Sequence, residues 1–181
     1  HFIGMARAAG HTVHALQADL LQPDALQCET AQVQPDGVVH LAAISFVGHA
    51  DTEAFYQVNV QGTLNLLDAL AMLRTRPQRV LVASSANVYG NCTESPIAEA
   101  QCSAPVNHYA ASKLAMEHLA RTRMNEVPVF FTRPFNYTGQ GQSPNFVIPK
   151  LVQHFVARQP FVELGNLAVE REFNDVRFVC D

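Results

Sequence analysis

Three short apolar runs, separated by long amphipathic stretches, constrain this chain most. Asp36 to Ala43 (DGVVHLAA), Arg79 to Ser84 (RVLVAS) and Val127 to Arg133 (VPVFFTR) are nearly continuous in apolar residues. Their length and β-branched content suit strands buried on both faces, as in a parallel sheet. His11 to Leu16, behind Gly10, reads as a further short strand, and the residues before Gly10 as a short helix that the glycine ends. Between the runs lie helical patterns. In Asp51 to Arg74, Val60, Leu64, Leu67 and Ala71 recur at steps of four, three and four and make one apolar face. His108 to Met124 is rich in Ala, Leu, Met, Lys and Glu, which all favour helix. Strand alternating with helix builds right-handed βαβ units, so the expected fold is α/β with a doubly wound parallel sheet.

Composition narrows the function classes. With 48% hydrophobic and 15% charged residues in 181, the chain builds a core and is not disordered. A net charge of −4 argues against a nucleic-acid partner. No apolar run approaches the roughly 20 residues of a membrane span. The four cysteines lack metal-binding spacing and suit free thiols, so the expectation is a cytoplasmic protein with no metal site. After Gly139 the pattern changes: Gln140 to Pro144 reads as loop, Phe146 to Val156 as helix, and Pro160 to Gly165 as the start of another short element. The expected domains are 1–142 and the beginning of a smaller lobe, 143–181.

The strongest chemical signal is Tyr109-Ala-Ala-Ser-Lys113 at the start of a helical pattern. Residues four apart share a helical face, about 6 Å apart along the axis. A tyrosine hydroxyl ordinarily titrates near 10, and a lysine ammonium within about 4–6 Å lowers that by roughly 1–3 units, toward useful proton exchange. The spacing alone is weak, because such pairs also occur by chance on exposed helices. Its context is stronger: the run ending in Val82-Ala-Ser-Ser-Ala-Asn-Val-Tyr-Gly90 brings two hydroxyls to the carboxyl end of a buried strand, the ligand edge of an open α/β sheet.

With these residues the chain resembles the extended short-chain dehydrogenase/reductase family of nucleotide-sugar epimerases, dehydratases and reductases. The resemblance implies a dinucleotide-binding Rossmann domain over 1–142, with NAD or NADP as cofactor and a nucleotide sugar as substrate. It maps the catalytic set onto Ser85, which orients the substrate oxygen, Tyr109, which exchanges its proton, and Lys113, which serves both the tyrosine and the nicotinamide ribose. His40-Leu-Ala-Ala43 is similar to the family's HLAA turn, VNVQGT to its NvxGT helix, RPFN to its RpfN segment and VEREFNDV to its arginine motif. The implied cofactor contacts are Asp19, Leu20, Leu41, Ala42, Ala43, Asn59, Ser84, Arg133 and Phe135, with Tyr109 and Lys113. The implied substrate contacts are Ser45, Asn87, Asn136, Val147, Lys150 and Arg171, with Ser85 and Tyr109. Simpler readings stand beside these: His40 as a core histidine, Ser84 as a structural hydroxyl, and Arg171 in a surface ion pair with its flanking glutamates.

Ala86 and Asn87 follow Ser85 where the resembling dehydratases carry acidic residues, and neither is a general acid or base at neutral pH. Dehydration is therefore disfavoured. Within the family, the stretches ADLLQPDAL, HLAAISFV, SSANVYG and RPFNYTGQGQSPNFVIPKLV resemble reductases of GDP-4-keto-6-deoxy-mannose. The alternatives are 4-epimerisation and, from another class, a regulatory protein that binds nucleotides without turnover. No strand with a glycine-rich turn precedes His11, so the chain is expected to be a fragment lacking the first strand and the phosphate-holding loop of such a fold. NAD and NADP stay undecided for the same reason. A homodimer paired through the two long helices is the expected assembly.

Overall fold

A computed structural model of the protein describes residues 1–165, 167–168 and 170–181. Its first elements are α1 (Phe2–Ala8), α2 (Pro23–Val33), β1 (Gly37–His40) and α3 (Thr52–Tyr56), which runs through a π-helical turn (Gln57–Gly62) into α4 (Thr63–Ala71). Next come β2 (Arg79–Ala83), a 3₁₀ turn (Ala86–Tyr89), α5 (His108–Arg121) and β3 (Val129–Thr132). Then follow β4 (Asn136–Thr138), α6 (Val147–Val156), β5 (Phe173–Asp175) and α7 (Val176–Cys180). The chain divides into two compact units, His14–Arg133 and His1–Val13 with Pro134–Asp181.

In the unit His14–Arg133, β1, β2 and β3 form a parallel sheet in that order, with Val38 opposite Val80 and Val80 opposite Val129. Val80, Val82 and Val129 turn to one face and join Leu26 of α2, Leu66, Leu67 and Leu70 of α4, and Met116 and Ala120 of α5 in one core. Burying each large side chain there contributes about 1.5–3 kcal/mol. The sequence suggested strands buried on both faces, and here the structure differs: Val39 and Phe130 are 38% and 43% exposed. Residues of α2, α4 and α5 join the core with Val80 and Val82, while Val39 and Phe130 point the other way along their strands.

α4 departs from the expected single stripe. Leu66, Ala69 and Leu70 are buried as fully as Leu67, because α4 packs against both α2 and α5. The helix expected over Asp51 to Arg74 is also interrupted, since the π-helical turn admits one extra residue per turn and re-aims Asn59 into the interior. α5 starts at a side-chain cap, Asn107 Oδ1 accepting from Ala110 N at 2.8 Å.

The strand expected at His11 to Leu16 does not form. The backbone N–H groups just beyond it do not go to a ladder. Gln17 N donates to the Glu29 carboxylate of α2 at 3.0 Å and Ala18 N at 2.8 Å, while His14 Nε2 lies 3.0 Å from the same group. Those three contacts, the histidine first, hold Glu29 below the usual carboxylate range. A side chain of α2 thus takes up the backbone N–H groups of Gln17 and Ala18.

In the other unit, β4 and β5 pair in parallel, Asn136 opposite Phe173 and Thr138 opposite Asp175. Strands this short leave no periodic trace in a sequence. α6 forms as expected, whereas Pro160 to Gly165 contains no helix or strand because the segment takes up no regular hydrogen bonding. Val169, the first residue of the VEREFNDV stretch, lies outside the described residues. Among the described residues no helix is long and apolar enough to cross a membrane.

Candidate active site

The carboxyl ends of β1 and β2 collect buried polar groups. Ser85 follows β2 by two residues, is buried, and caps the 3₁₀ turn by accepting from Asn87 N at 3.2 Å. Tyr109 and Lys113 sit one helical turn apart on α5, and both are buried. The ammonium of Lys113 donates to the Ala83 carbonyl at 2.8 Å, which fixes it two residues from Ser85. α5 also packs on the 3₁₀ turn that Ser85 begins. All three members of the expected catalytic set therefore lie at one edge of the sheet. Burial pulls the Lys113 ammonium down to about 8, against the opposing influence of Glu117. It still carries its charge at neutral pH.

Neighbouring residues organise this edge. His40, which ends β1, is buried with Nε2 3.0 Å from Thr63 Oγ1. Burial, and then the charge of Lys113, lower it to about 4, so the imidazole is neutral and acts as a core group. Asn59 is fully buried and grips one peptide twice, its Oδ1 accepting from Ile44 N at 2.8 Å and its Nδ2 donating to Ile44 O at 3.1 Å. The same amide reaches Ser112 Oγ at 3.1 Å, and Ser112 donates to Tyr109 O at 2.8 Å. Asn59, expected at the cofactor, thus ties the loop after β1 to the first turn of α5. In that loop Leu41, Ala42 and Ser45 are exposed and Ala43 is half-buried. Asp19 is exposed, with Oδ1 accepting from Leu21 N at 2.9 Å, and Leu20 packs against Gly62.

Sequence reasoning missed Glu117 altogether. It stands four residues after Lys113 and is 1% exposed. Arg133, expected at the cofactor, turns to it as a fork, Nε donating to Oε1 at 2.9 Å and Nη2 to Oε2 at 2.6 Å. Burial raises the Glu117 carboxyl, but Arg133, Ser84 and Arg121 together more than offset it and hold the group below the usual carboxylate range. Ser84 Oγ, buried and outside hydrogen-bond geometry, faces the same carboxylate and adds to the lowering. The signal available in the sequence was the spacing Tyr109, Lys113, Glu117, one face of one helix.

Asn87 is exposed on the 3₁₀ turn. Glycine is obligatory just after that turn: Gly90 has φ of +68°, and a Cβ there would meet Ala104 O at 1.9 Å. The remaining expected residues belong to the other unit. Phe135 and Val147 are exposed, Asn136 Nδ2 donates to Glu172 O at 3.2 Å, and Lys150 Nζ donates to Glu163 O. Arg171 donates to the Glu170 carbonyl at 2.9 Å, a backbone contact where the simple reading expected an ion pair.

Comparison with known proteins agrees with this geometry. The chain is 39% identical over 163 residues to GDP-6-deoxy-D-talose 4-dehydrogenase of Aggregatibacter actinomycetemcomitans, covering 90% of this chain and 55% of that protein. It is 38% identical over 188 residues to GDP-6-deoxy-D-mannose reductase of Pseudomonas aeruginosa, covering 95% and 61%. The chain thus spans little more than half the length of these relatives. The solved structure of RMD from Pseudomonas aeruginosa, complexed with NADPH, superimposes with a TM-score of 0.86 at 36% identity, over 98% of this chain and 66% of that one. That likeness makes the parallel sheet and its helices a Rossmann-like α/β fold. Residues 3–181 match the model of the NAD dependent epimerase/dehydratase family, and the chain belongs to that family.

Proposed function

We propose that the full-length protein is an NAD(P)-dependent reductase of a 4-keto-6-deoxy nucleotide sugar of the GDP-4-keto-6-deoxy-D-mannose type. The observation that carries the reading is the buried Lys113 ammonium, one helical turn after Tyr109, on the carbonyl of Ala83 two residues before Ser85. The two relatives named for oxidoreduction of GDP-6-deoxyhexoses supply the substrate class.

The residues at this edge fit a nicotinamide nucleotide. Lys113 spends one of its three ammonium hydrogens on Ala83 and has two for ribose hydroxyls. Leu41, Ala42 and Ala43, held by Asn59 through Ile44, offer backbone behind mostly small side chains. A reduced nicotinamide bound there supplies hydride. The chain's own groups do the rest: Ser85 holds the C4 oxygen by its hydroxyl, and Tyr109 delivers its proton to that oxygen as negative charge develops. Lys113 keeps positive charge beside the tyrosine, favouring the phenolate left behind. Ala86 and Asn87 offer no carboxyl to expel a hydroxyl as water, which sets this reading above dehydration.

The same reading assigns 1–142 to the cofactor and 143–181 to the start of the substrate lobe, with Asn136, Val147, Lys150 and Arg171 on the nucleotide sugar. It pairs the protein as a homodimer along its two long helices and places it in the cytoplasm. The test supplies GDP-mannose and GDP-4-keto-6-deoxy-mannose separately, each with NADH or NADPH and, for the alternatives, with NAD or NADP. Oxidation of the nicotinamide with the keto sugar alone is the expected result. Conversion of GDP-mannose to the keto sugar would overturn it in favour of dehydration, and inversion at C4 without net oxidation in favour of epimerisation. A nucleotide sugar bound but never converted would mark a binding protein.

A further inference from the structure

Glu117, fully buried, and Arg133, half-buried, form an ion pair that touches three of the elements around the proposed site. Glu117 lies on α5 one turn beyond Lys113, and Arg133 follows the last residue of β3. The remaining arm of the guanidinium, Nη1, donates to the Tyr89 hydroxyl at 2.9 Å and reaches Glu99 O at 3.5 Å. Its plane also covers the Tyr89 ring, 5.0 Å from the centroid. Tyr89 in turn donates to Glu99 O at 3.3 Å. Tyr89 is the last residue of the 3₁₀ turn whose cap is Ser85. Both carboxylate oxygens and all three guanidinium nitrogens are thereby committed.

Stability alone does not explain such a pair, because well-packed apolar residues of similar volume commonly hold a core at least as well. What apolar residues do not supply is direction. The planar fork accepts one mutual orientation of carboxylate and guanidinium. Here that orientation couples the helix carrying Tyr109 and Lys113 to the turn carrying Ser85.

We propose that Glu117 is a positioning residue: held by Arg133, its carboxylate locks α5 to the turn of Ser85 and keeps Ser85, Tyr109 and Lys113 in one register. This deepens the proposed function and rests on it. Several charged and titratable groups surround Lys113. His40 approaches from β1, Tyr109 and Glu117 lie on its own helix, and Arg133 and Arg121 bear on Glu117 from the end of β3 and the end of α5. Of these, Glu117 supplies the negative charge that favours the ammonium.

The experiment compares Glu117→Gln and the double variant Glu117→Leu/Arg133→Met with Tyr109→Phe in the full-length protein, measuring kcat, KM and the pH profile of turnover. Glu117→Gln should lower kcat by about tenfold or more, since small misplacements of reacting groups cost up to roughly 10²-fold, and leave KM within threefold. The alkaline limb should move to lower pH, because Lys113 loses the carboxylate that holds its proton. The double variant should melt near the wild-type temperature yet keep the kcat deficit. If Glu117→Gln does not fold, the double variant decides by the same kcat criterion. A kcat within twofold of wild type with an unmoved limb overturns the proposal, as does failure of both variants to fold, which would make the pair a folding element. Full activity in Tyr109→Phe sinks the proposed function and this inference with it. An inactive Tyr109→Phe beside a wild-type-like Glu117→Gln removes the inference alone.

Discussion

Two regions share the unit His14–Arg133 and obey opposite rules. Beneath the sheet, Leu66, Leu67, Leu70, Val80, Val82 and Met116 pack as an apolar core. At its carboxyl edge, His40, Asn59, Ser112, Lys113 and Glu117 are just as buried, yet every one is polar or charged. The core gains from each group taken out of water. The edge loses by burying charge and recovers only through specific partners: Ala83 for Lys113, Arg133 for Glu117, Ile44 for Asn59. A costly cluster of this kind at one edge of the sheet is what the proposed proton-transfer site requires.

The contrast can be broken from either side. The largest effect on folding belongs to the core: Leu67→Ala should cost about 2–5 kcal/mol in denaturant unfolding, while turnover per folded molecule stays unchanged. A turnover loss matching that of an edge variant would erase the distinction between the regions.

The edge should show itself through pH. His40 holds its proton only below about 4 in the folded protein, against an ordinary 6.5. Above 6.5 the imidazole is neutral in both states and contributes nothing to the pH dependence. As pH falls below 6.5 the unfolded chain takes up a proton that the folded one refuses, so stability drops by about 1.4 kcal/mol per pH unit, levelling near pH 4. Between pH 6.5 and 5 the loss is about 2 kcal/mol, and His40→Gln should flatten that part of the curve. An unchanged slope in the variant would place the proton elsewhere. Smallest is the exposed pair of Asp68 and Arg123, 2.6 Å apart and half open to water. Asp68→Ala should cost at most about 1 kcal/mol, less in high salt, despite the short distance.

The sequence carried the core and the edge unequally. Apolar runs mark β1, β2 and β3, although the helices bury only alternate residues such as Val80 and Val82, and α5 is announced by its helix formers. Tyr109, Lys113 and Ser85 were legible because their spacing places them on one helical turn and one strand end. Glu117 and Arg133 were not read together, because they stand 16 residues apart and meet only once β3 lies beside α5. The strand expected at His11 to Leu16 has a pattern compatible with a strand, yet these residues join no ladder in the structure. The π-helical turn that buries Asn59 leaves no mark in the hydrophobic spacing.

In the proposed function the buried polar edge performs proton transfer through Tyr109. The most direct measurement is the turnover of Tyr109→Phe in the full-length protein with the keto sugar and reduced nicotinamide, taken beside its melting temperature and cofactor affinity. Turnover should fall by roughly 10²–10⁴-fold while melting and cofactor affinity hold. Turnover within a factor of two of wild type would contradict it.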